Sequence, residues 1–171
     1  MTAEEDFAQF VRASSPRLFR TAYAVAGDYQ LAEDALQAAY ASAYSRWRRV
    51  REAANPEAYV QRMVLNQLLT WRRRLSFRRE VPSARLPERG HVPSHEDVVA
   101  DVDEVWRALA TLPPRQRAVV VLRYVEDLSV ADTAAALGVR EGTVKSQTAA
   151  ALTRLRGRLD QLETPSSGGG R

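Results

Sequence analysis

No cysteine occurs in the 171 residues of this chain. Disulfides, thiolate nucleophiles and cysteine-ligated zinc are thereby excluded as sources of stability or chemistry. Histidine is nearly as scarce, with only His91 and His95. They stand four apart in a proline-punctuated stretch beside Glu96 and Asp97, and the sequence positions no third ligand, so no metal site is expected. No run approaches the roughly eighteen apolar residues of a membrane-spanning helix, so no membrane insertion is expected. The start lacks a basic segment followed by an apolar one, and a cytoplasmic protein is the expectation. Serines are common, but none lies in a nucleophile-elbow pattern, and no carboxylate pair has a defensible catalytic spacing. The expectation is a non-enzyme with no catalytic residue, no metal and no cofactor.

What is present supports real cores. Hydrophobic residues make up 45% of the chain, enough at this length for one ordinary domain or two small ones. The formal charge of +4 is unevenly spread: residues 1–45 carry −3, residues 46–80 carry +7, from ten basic against three acidic groups, residues 81–100 carry −1 and residues 101–171 carry +1. One short segment holds the basic excess, and nucleic acid is its simplest partner, with a merely solubilising surface as the alternative.

Apolar spacing reads as helix throughout. Phe7, Phe10, Val11, Leu18, Phe19 and Tyr23, then Leu31, Ala35, Leu36, Ala39 and Tyr40, predict two helices that break at Gly27 and Asp28. Asn55 as N-cap and Pro56 at the first helical position start a third, running through Tyr59, Met63, Val64, Leu68 and Trp71 into WRRRLSFRR. The proline-rich VPSARLPERGHVPSHED, residues 81–97, reads as a linker. A helix from about Val98 to Ala110 is stopped by Leu112-Pro113-Pro114, and an apolar helix from Arg115 to Tyr124 follows. The terminal ETPSSGGGR reads as a frayed end.

Ser129 is a good N-cap, and Asp132 three residues later completes a capping-box-like start for a helix through Val130, Ala134 and Leu137. Gly138 ends that helix by tolerating a left-handed backbone, Val139 packs inward, and a second helix starts near Glu141. Ala131, Ala134 and Ala135 are expected to permit a close crossing, which gives the sequence form of a helix-turn-helix. Val144, Thr148, Leu152 and Leu155 fall on or beside the inner face, leaving Arg140, Thr143, Lys145, Ser146 and Gln147 outside. Gln147 is able to pair bidentately with adenine, Lys145 and Ser146 to grip phosphates, and Gly142 to let a phosphate near the helix start, where Glu141 repels it or reads a cytosine amine. A plain helical hairpin would share the alanines and the glycine turn.

Two longer stretches carry a family resemblance. LPPRQRAVVVLRYVEDLSVADTAAALGVREGTVKSQTAAALTRLRGRL, Leu112 to Leu159, resembles the minus-35 promoter-binding domain of extracytoplasmic-function sigma factors, group IV of the sigma-70 family. FRTAYAVAGDYQLAEDALQAAYASAYSRW, Phe19 to Trp47, with NPEAYVQRMVLNQLLTWRRR, Asn55 to Arg74, resembles their domain for core polymerase and the minus-10 element. LFRTAYAVAGD and NPEAYVQRMVLNQ are similar to the small actinobacterial members called SigE-like. The resemblance implies an all-α protein of two small helical domains joined by a flexible linker, the second with the helix-turn-helix. Its segments are a first domain over 5–76, a linker over 77–98, a second domain over 99–160 and a flexible tail over 161–171.

The implied function is promoter recognition: binding core RNA polymerase, directing it to promoters and assisting DNA melting. For core polymerase the resemblance implies Glu33, Asp34, Leu36, Gln37 and Tyr40, the polar groups pairing with arginines and the apolar ones anchoring. For the minus-10 element it implies Trp47, Arg48, Arg49, Asn66, Trp71, Arg72, Arg73 and Arg74, from a loop over 47–55 and the helix after it. There arginines neutralise phosphates, an aromatic stacks on an unstacked base and Asn66 reads a base edge, while Trp71 reads equally well as core. For the minus-35 duplex it implies Arg140, Glu141, Gly142, Thr143, Lys145, Ser146 and Gln147. Partners are then core RNA polymerase and promoter DNA, with an anti-sigma protein a candidate because many members have one; a homo-oligomer is not required. The chain departs from the family pattern at Ala38, commonly acidic, at Arg140, often serine, and at Gln147, commonly arginine. The competing classes are a helix-turn-helix regulator that never joins polymerase and a helical adaptor that binds protein alone.

Overall fold

A computed structural model of the chain describes residues 2–78 and 99–163, and all its regular structure there is helical. Of the expected linker, residues 79–98 lie outside the described residues, as do His91, His95 and the tail from 164 onward. The architecture is all-α, with two helical sub-regions on either side of that connection.

The first sub-region opens with α1 (Ala3–Ala26), started by a reciprocal capping box between Thr2 and Glu5. Pro16 lies inside α1, where its ring removes the donor that would have reached the Arg12 carbonyl. The helix ends at Gly27, whose φ of 65° is the left-handed cap that a side chain resists. Asp28 then caps α2 (Tyr29–Tyr44), its carboxylate accepting from the Leu31 N–H at 2.7 Å. The break expected at Gly27 and Asp28 is thus two caps set back to back. A short α3 (Trp47–Arg51) follows, and α4 (Pro56–Arg78) begins where expected, the Asn55 side chain accepting from the Ala58 N–H at 2.9 Å. Residues 47–51 were expected as loop; they wind into helix because Trp47 and Val50, one turn apart, are both buried. The fourth helix also runs two residues beyond the expected domain end at 76.

The second sub-region holds α5 (Val99–Ala110), α6 (Pro114–Val120), α7 (Val130–Leu137) and α8 (Glu141–Glu163). Pro114 sits in the first turn of α6, where no amide donor is needed. The helix expected over 115–124 changes its winding partway: residues Val121–Val125 form a π-helical turn closed by the Glu126 N–H on the Val121 carbonyl at 3.0 Å. This widening keeps Val121 and Leu122 buried while exposing Tyr124 and Val125.

Alanines let the first sub-region pack tightly. Ala22 on α1 and Ala32, Ala35, Ala39 and Ala43 on α2 are all fully buried, and α1 packs along α2 and α4. Leu18, Val60, Leu65 and Leu68 fill the space between them; truncating one such leucine to alanine costs about 2–5 kcal/mol. The same continuous core takes in Leu109, Leu112, Ala118, Val121, Leu122 and Ala151 from the second sub-region. The two sub-regions therefore close on each other, α4 against α7 and α1 against α6.

Candidate nucleic-acid and polymerase interface

On α2 the sequence pattern separates outward from inward residues. Asp34 and Gln37 are exposed and Glu33 is half-buried, so a polar face is presented. Gln30 donates to the Asp34 carboxylate at 2.9 Å, one helical turn away. Leu36 was expected as an anchor for a partner, but it is buried against α1 and α4. Tyr40 is also turned inward. Its hydroxyl meets Ser14 Oγ at 2.8 Å and Ser15 Oγ at 3.1 Å, and its ring lies edge-on to Phe7 and Phe10. Both corrections have one cause: residues three and four apart share a helix face, and Ala32, Ala35, Leu36 and Ala39 all belong to the core side.

Around α3 the basic groups gather at an open groove of about 570 Å³ lined by Tyr44, Arg46, Trp47, Arg48, Arg49 and Arg51. Trp47 was expected to meet an unstacked base, yet it is buried, its indole N–H donating to Asp6 at 3.0 Å and its ring packed near Phe7 and Phe10. Asp6 also pairs with Arg51 at 3.6 Å. With the indole acting as the anchor, Arg48 and Arg49 are held outward and exposed. Arg46 and Arg51 were not singled out in the sequence, though the run Arg46, Arg48, Arg49, Arg51 was the available signal.

The helix α4 divides the remaining minus-10 candidates. Asn66, Arg73 and Arg74 are exposed. Trp71 is partly buried against the core, which takes the core reading left open in the sequence. Arg72 is half-buried and donates to the Ala26 carbonyl at the end of α1, a backbone contact in place of a phosphate. Arg62, passed over in the sequence, is exposed on α4 and reaches the helix-turn-helix, its guanidinium lying 3.3 Å from where a side chain on Gly138 would begin.

The helix-turn-helix forms as its sequence indicated. Ser129 caps α7 by accepting from the Asp132 N–H at 3.0 Å, and its hydroxyl donates to the Asp132 carboxylate at 2.7 Å. Gly138 is left-handed with φ 65°, and the Val139 N–H reaches back to the Ala134 carbonyl at 3.0 Å. Of the three alanines expected at the crossing, Ala134 is buried, while Ala131 and Ala135 are exposed and Thr133 is fully buried in their place. The inner face reads 130, 133, 134, 137, the helical repeat, which leaves 131 and 135 outside. Val144 is fully buried beside Val119 and Ala134 and fixes the start of α8. Around that anchor Arg140, Glu141, Gly142, Lys145 and Ser146 are exposed, and Thr143 and Gln147 are half-buried at its edge. No other atom lies within 4 Å of where a side chain on Gly142 would begin, so the first turn of α8 is open to approach.

Among the described residues no cluster of three or more His, Asp or Glu side chains could hold a metal ion, and no helix is long and apolar enough to cross a membrane. What the molecule offers is an arginine-lined groove on one helical unit and a helix-turn-helix on another, the class of a helical DNA-binding protein. Comparison with known proteins narrows that class. The family model described as Sigma-70 region 2 matches residues 10–78, and that described as Sigma-70, region 4 matches residues 103–155. An RNA polymerase sigma-E factor of Streptomyces antibioticus is 38% identical over 159 residues, covering 93% of this chain and 86% of that protein. The ECF RNA polymerase sigma factor SigM of Mycobacterium tuberculosis is 37% identical over 158 residues, covering 92% and 79%. The fold is similar to that of a Bartonella quintana sigma factor RpoE solved with the anti-sigma factor NepR, with TM-score 0.71, 23% identity and coverage of 91% and 98%.

The chain belongs to the extracytoplasmic-function branch of the sigma-70 family, in the actinobacterial SigE/SigM-like subgroup. It is a sigma factor, which binds core RNA polymerase and directs it to promoters, and it is not an enzyme.

Proposed function

We propose that the two units divide promoter recognition, with residues 5–76 binding core polymerase and the minus-10 element and residues 99–160 holding the minus-35 duplex. The observation that carries this reading is the outward set of Arg48 and Arg49, fixed by the buried Trp47 beneath them, on the groove at α3. Arginines held there, with exposed Asn66, Arg73 and Arg74 on α4, suit a melted strand: cations neutralise its phosphates and the amide satisfies a base edge. Energy gained from unstacked bases offsets strand separation, so melting needs no nucleotide hydrolysis.

On the other unit, Arg140, Lys145 and Ser146 are available to phosphates, and Gln147 to a base edge. Glu33, Asp34 and Gln37 supply the polymerase-facing surface of α2. The linker over 77–98 spans the distance between the two DNA contacts. A cytoplasmic location follows from this work on the template. An anti-sigma protein is a further partner on this reading, supported by the fold neighbour solved with NepR; a homo-oligomer is not needed.

The test is charge reversal of Arg48 and Arg49 together. Core binding by pull-down should be unchanged, while open-complex formation, read by permanganate reactivity of the minus-10 strand, should fall at least about tenfold, the effect of losing two phosphate contacts. Equal loss of core binding and of strand opening would assign these arginines to the polymerase instead.

A further inference from the structure

Asp6, in the first turn of α1, carries a carboxylate that reaches α3 twice through one oxygen. It accepts from the Trp47 indole N–H at 3.0 Å and pairs with the Arg51 guanidinium at 3.6 Å. The two contacts differ in what their loss would cost. Trp47 is 7% exposed, and a buried indole N–H left without an acceptor carries the full penalty of lost hydration. The Arg51 side chain is 51% exposed, where water screens an ion pair and replaces it cheaply. The indole bond is therefore the stronger tie.

A tie of this kind is what α3 lacks in itself. The helix is five residues long and its N-cap, Arg46, makes no side-chain cap, so it is too short to hold its own shape. Four arginines crowd residues 46–51 and repel one another. Trp47 and Val50 anchor it by burial, but burial has no direction. With the Phe7 and Phe10 rings both 5.1 Å from the indole, apolar contact alone does not select one rotation of the ring. The hydrogen bond to Asp6 selects it, and the directions of Arg48 and Arg49 follow. Arg46 is occupied by the Ser42 carbonyl at 3.2 Å and Arg51 by Asp6. Arg48 and Arg49 are exposed and have no hydrogen bond or ion pair among the described residues.

The turn that carries Asp6 is itself fixed. Thr2 accepts from the Glu5 N–H at 3.2 Å, Glu5 accepts from the Thr2 N–H at 2.7 Å, and the Asp6 N–H reaches the Thr2 carbonyl at 3.0 Å. Ala3 of the same turn lines the groove, and Glu4 accepts from the hydroxyl of Tyr44, another lining residue, at 3.5 Å. The start of α1 is thus one wall of the arginine groove. It lies before residue 10, where the match to region 2 begins.

We propose that Asp6 is a positioning residue for capture of the melted strand: through the Trp47 indole it sets α3 so that Arg48 and Arg49 face the strand. The proposal rests on reading the groove at α3 as the minus-10 contact. Asp6 touches no DNA. Its fixed carboxylate orients the indole, and the indole orients the turn that presents the two cations, so the ordering cost is met before the strand arrives. The ion pair with Arg51 is secondary.

Asp6→Ala and Trp47→Phe each remove the bond, one from either side, whereas Asp6→Asn keeps an acceptor for the indole and gives up the ion pair. In holoenzyme assembled with core polymerase, permanganate reactivity of the minus-10 strand is measured across a potassium chloride series. Asp6→Ala and Trp47→Phe should each lower open-complex formation about tenfold, the factor carried by one charge-assisted hydrogen bond. The double variant should fall no further, because both changes break the same bond. Each should also flatten the slope of log K against log salt by about 1.4, two single-strand phosphate contacts at about 0.7 each. Asp6→Asn should stay within about twofold of the parent, with the parent's slope. A protein that is only less stable loses active fraction and keeps its slope. An unchanged slope in Asp6→Ala, or an Asp6→Asn as defective as Asp6→Ala, would overturn the positioning role. Should Asp6→Ala lose helicity, Trp47→Phe, which keeps a buried ring, decides alone. Charge reversal of Arg48 and Arg49 separates the two levels. If it leaves strand opening and slope intact, the groove reading fails and the positioning role with it; if it flattens the slope while Asp6→Ala and Trp47→Phe do not, the positioning role alone fails.

Discussion

Trp47 and Arg48 are neighbours in sequence with opposite fates, and the difference shows what a residue can tell before its fold is known. Both types suit nucleic acid, a ring for stacking and a cation for phosphate. Only the packing of α3 on α1 turns the indole to Asp6 and leaves the guanidinium in solvent. The partner Asp6 lies 41 positions away, beyond the reach of any local pattern. Leu36 and Tyr40 follow the same rule, since the residues that bury them come from α1 and α4. Lys145 is the opposite case. Buried Val144 beside it settles its direction, and the apolar-polar alternation there was legible. It is also the only lysine in the chain, which makes it easy to follow. With an amine-acetylating reagent, peptide mass spectrometry should find Lys145 modified in the free protein and protected several-fold by minus-35 duplex in the holoenzyme. Equal modification with and without duplex would remove Lys145 from the interface.

Elements were more legible than contacts because their ends are written locally. Gly27 with Asp28, Asn55 with Pro56, and Ser129 with Gly138 each combine a backbone requirement with a side chain that meets it. The misreadings fall where tertiary packing overrides local preference. Residues 47–51 become helical because two apolar side chains find a core. The stretch Val121–Val125 unwinds to a π-turn, and Glu126 at its end accepts from Thr21 of α1, a partner more than 100 residues distant. The Ser129 cap gives a clean test of the local part. Ser129→Ala removes the acceptor for the Asp132 N–H and should cost about 1 kcal/mol in urea unfolding. Ser129→Asp, which can accept the same bond, should cost little, and equal losses for both would show that the cap does not hold α7.

At the scale of the molecule, the basic excess over 46–80 and the order of the two motifs pointed to two DNA contacts on one chain. Their closure on each other was not legible, because Arg117 reads as one more arginine in an apolar helix until its partners are known, the carbonyls of Leu109 and Ala110 in its own unit and of Val25 and Ala26 at the end of α1. Burial first and Arg72 second lower its pKa to about 10, which also fixes the pH behaviour. Above about pH 10, until the arginine of the unfolded chain also loses its proton, the unfolded chain holds more protons at this site, so folding stability rises with pH there. Near neutrality Arg117 is charged in both states and contributes no pH dependence.

The decisive measurement is transcription by purified core RNA polymerase, with and without this protein, on a library of genomic promoters, with transcript starts read by sequencing. The expected result is a set of protein-dependent starts sharing two upstream elements, one near minus-10 and one near minus-35. Association with core polymerase without any new start, or duplex binding without core association, would contradict promoter recognition by the two units.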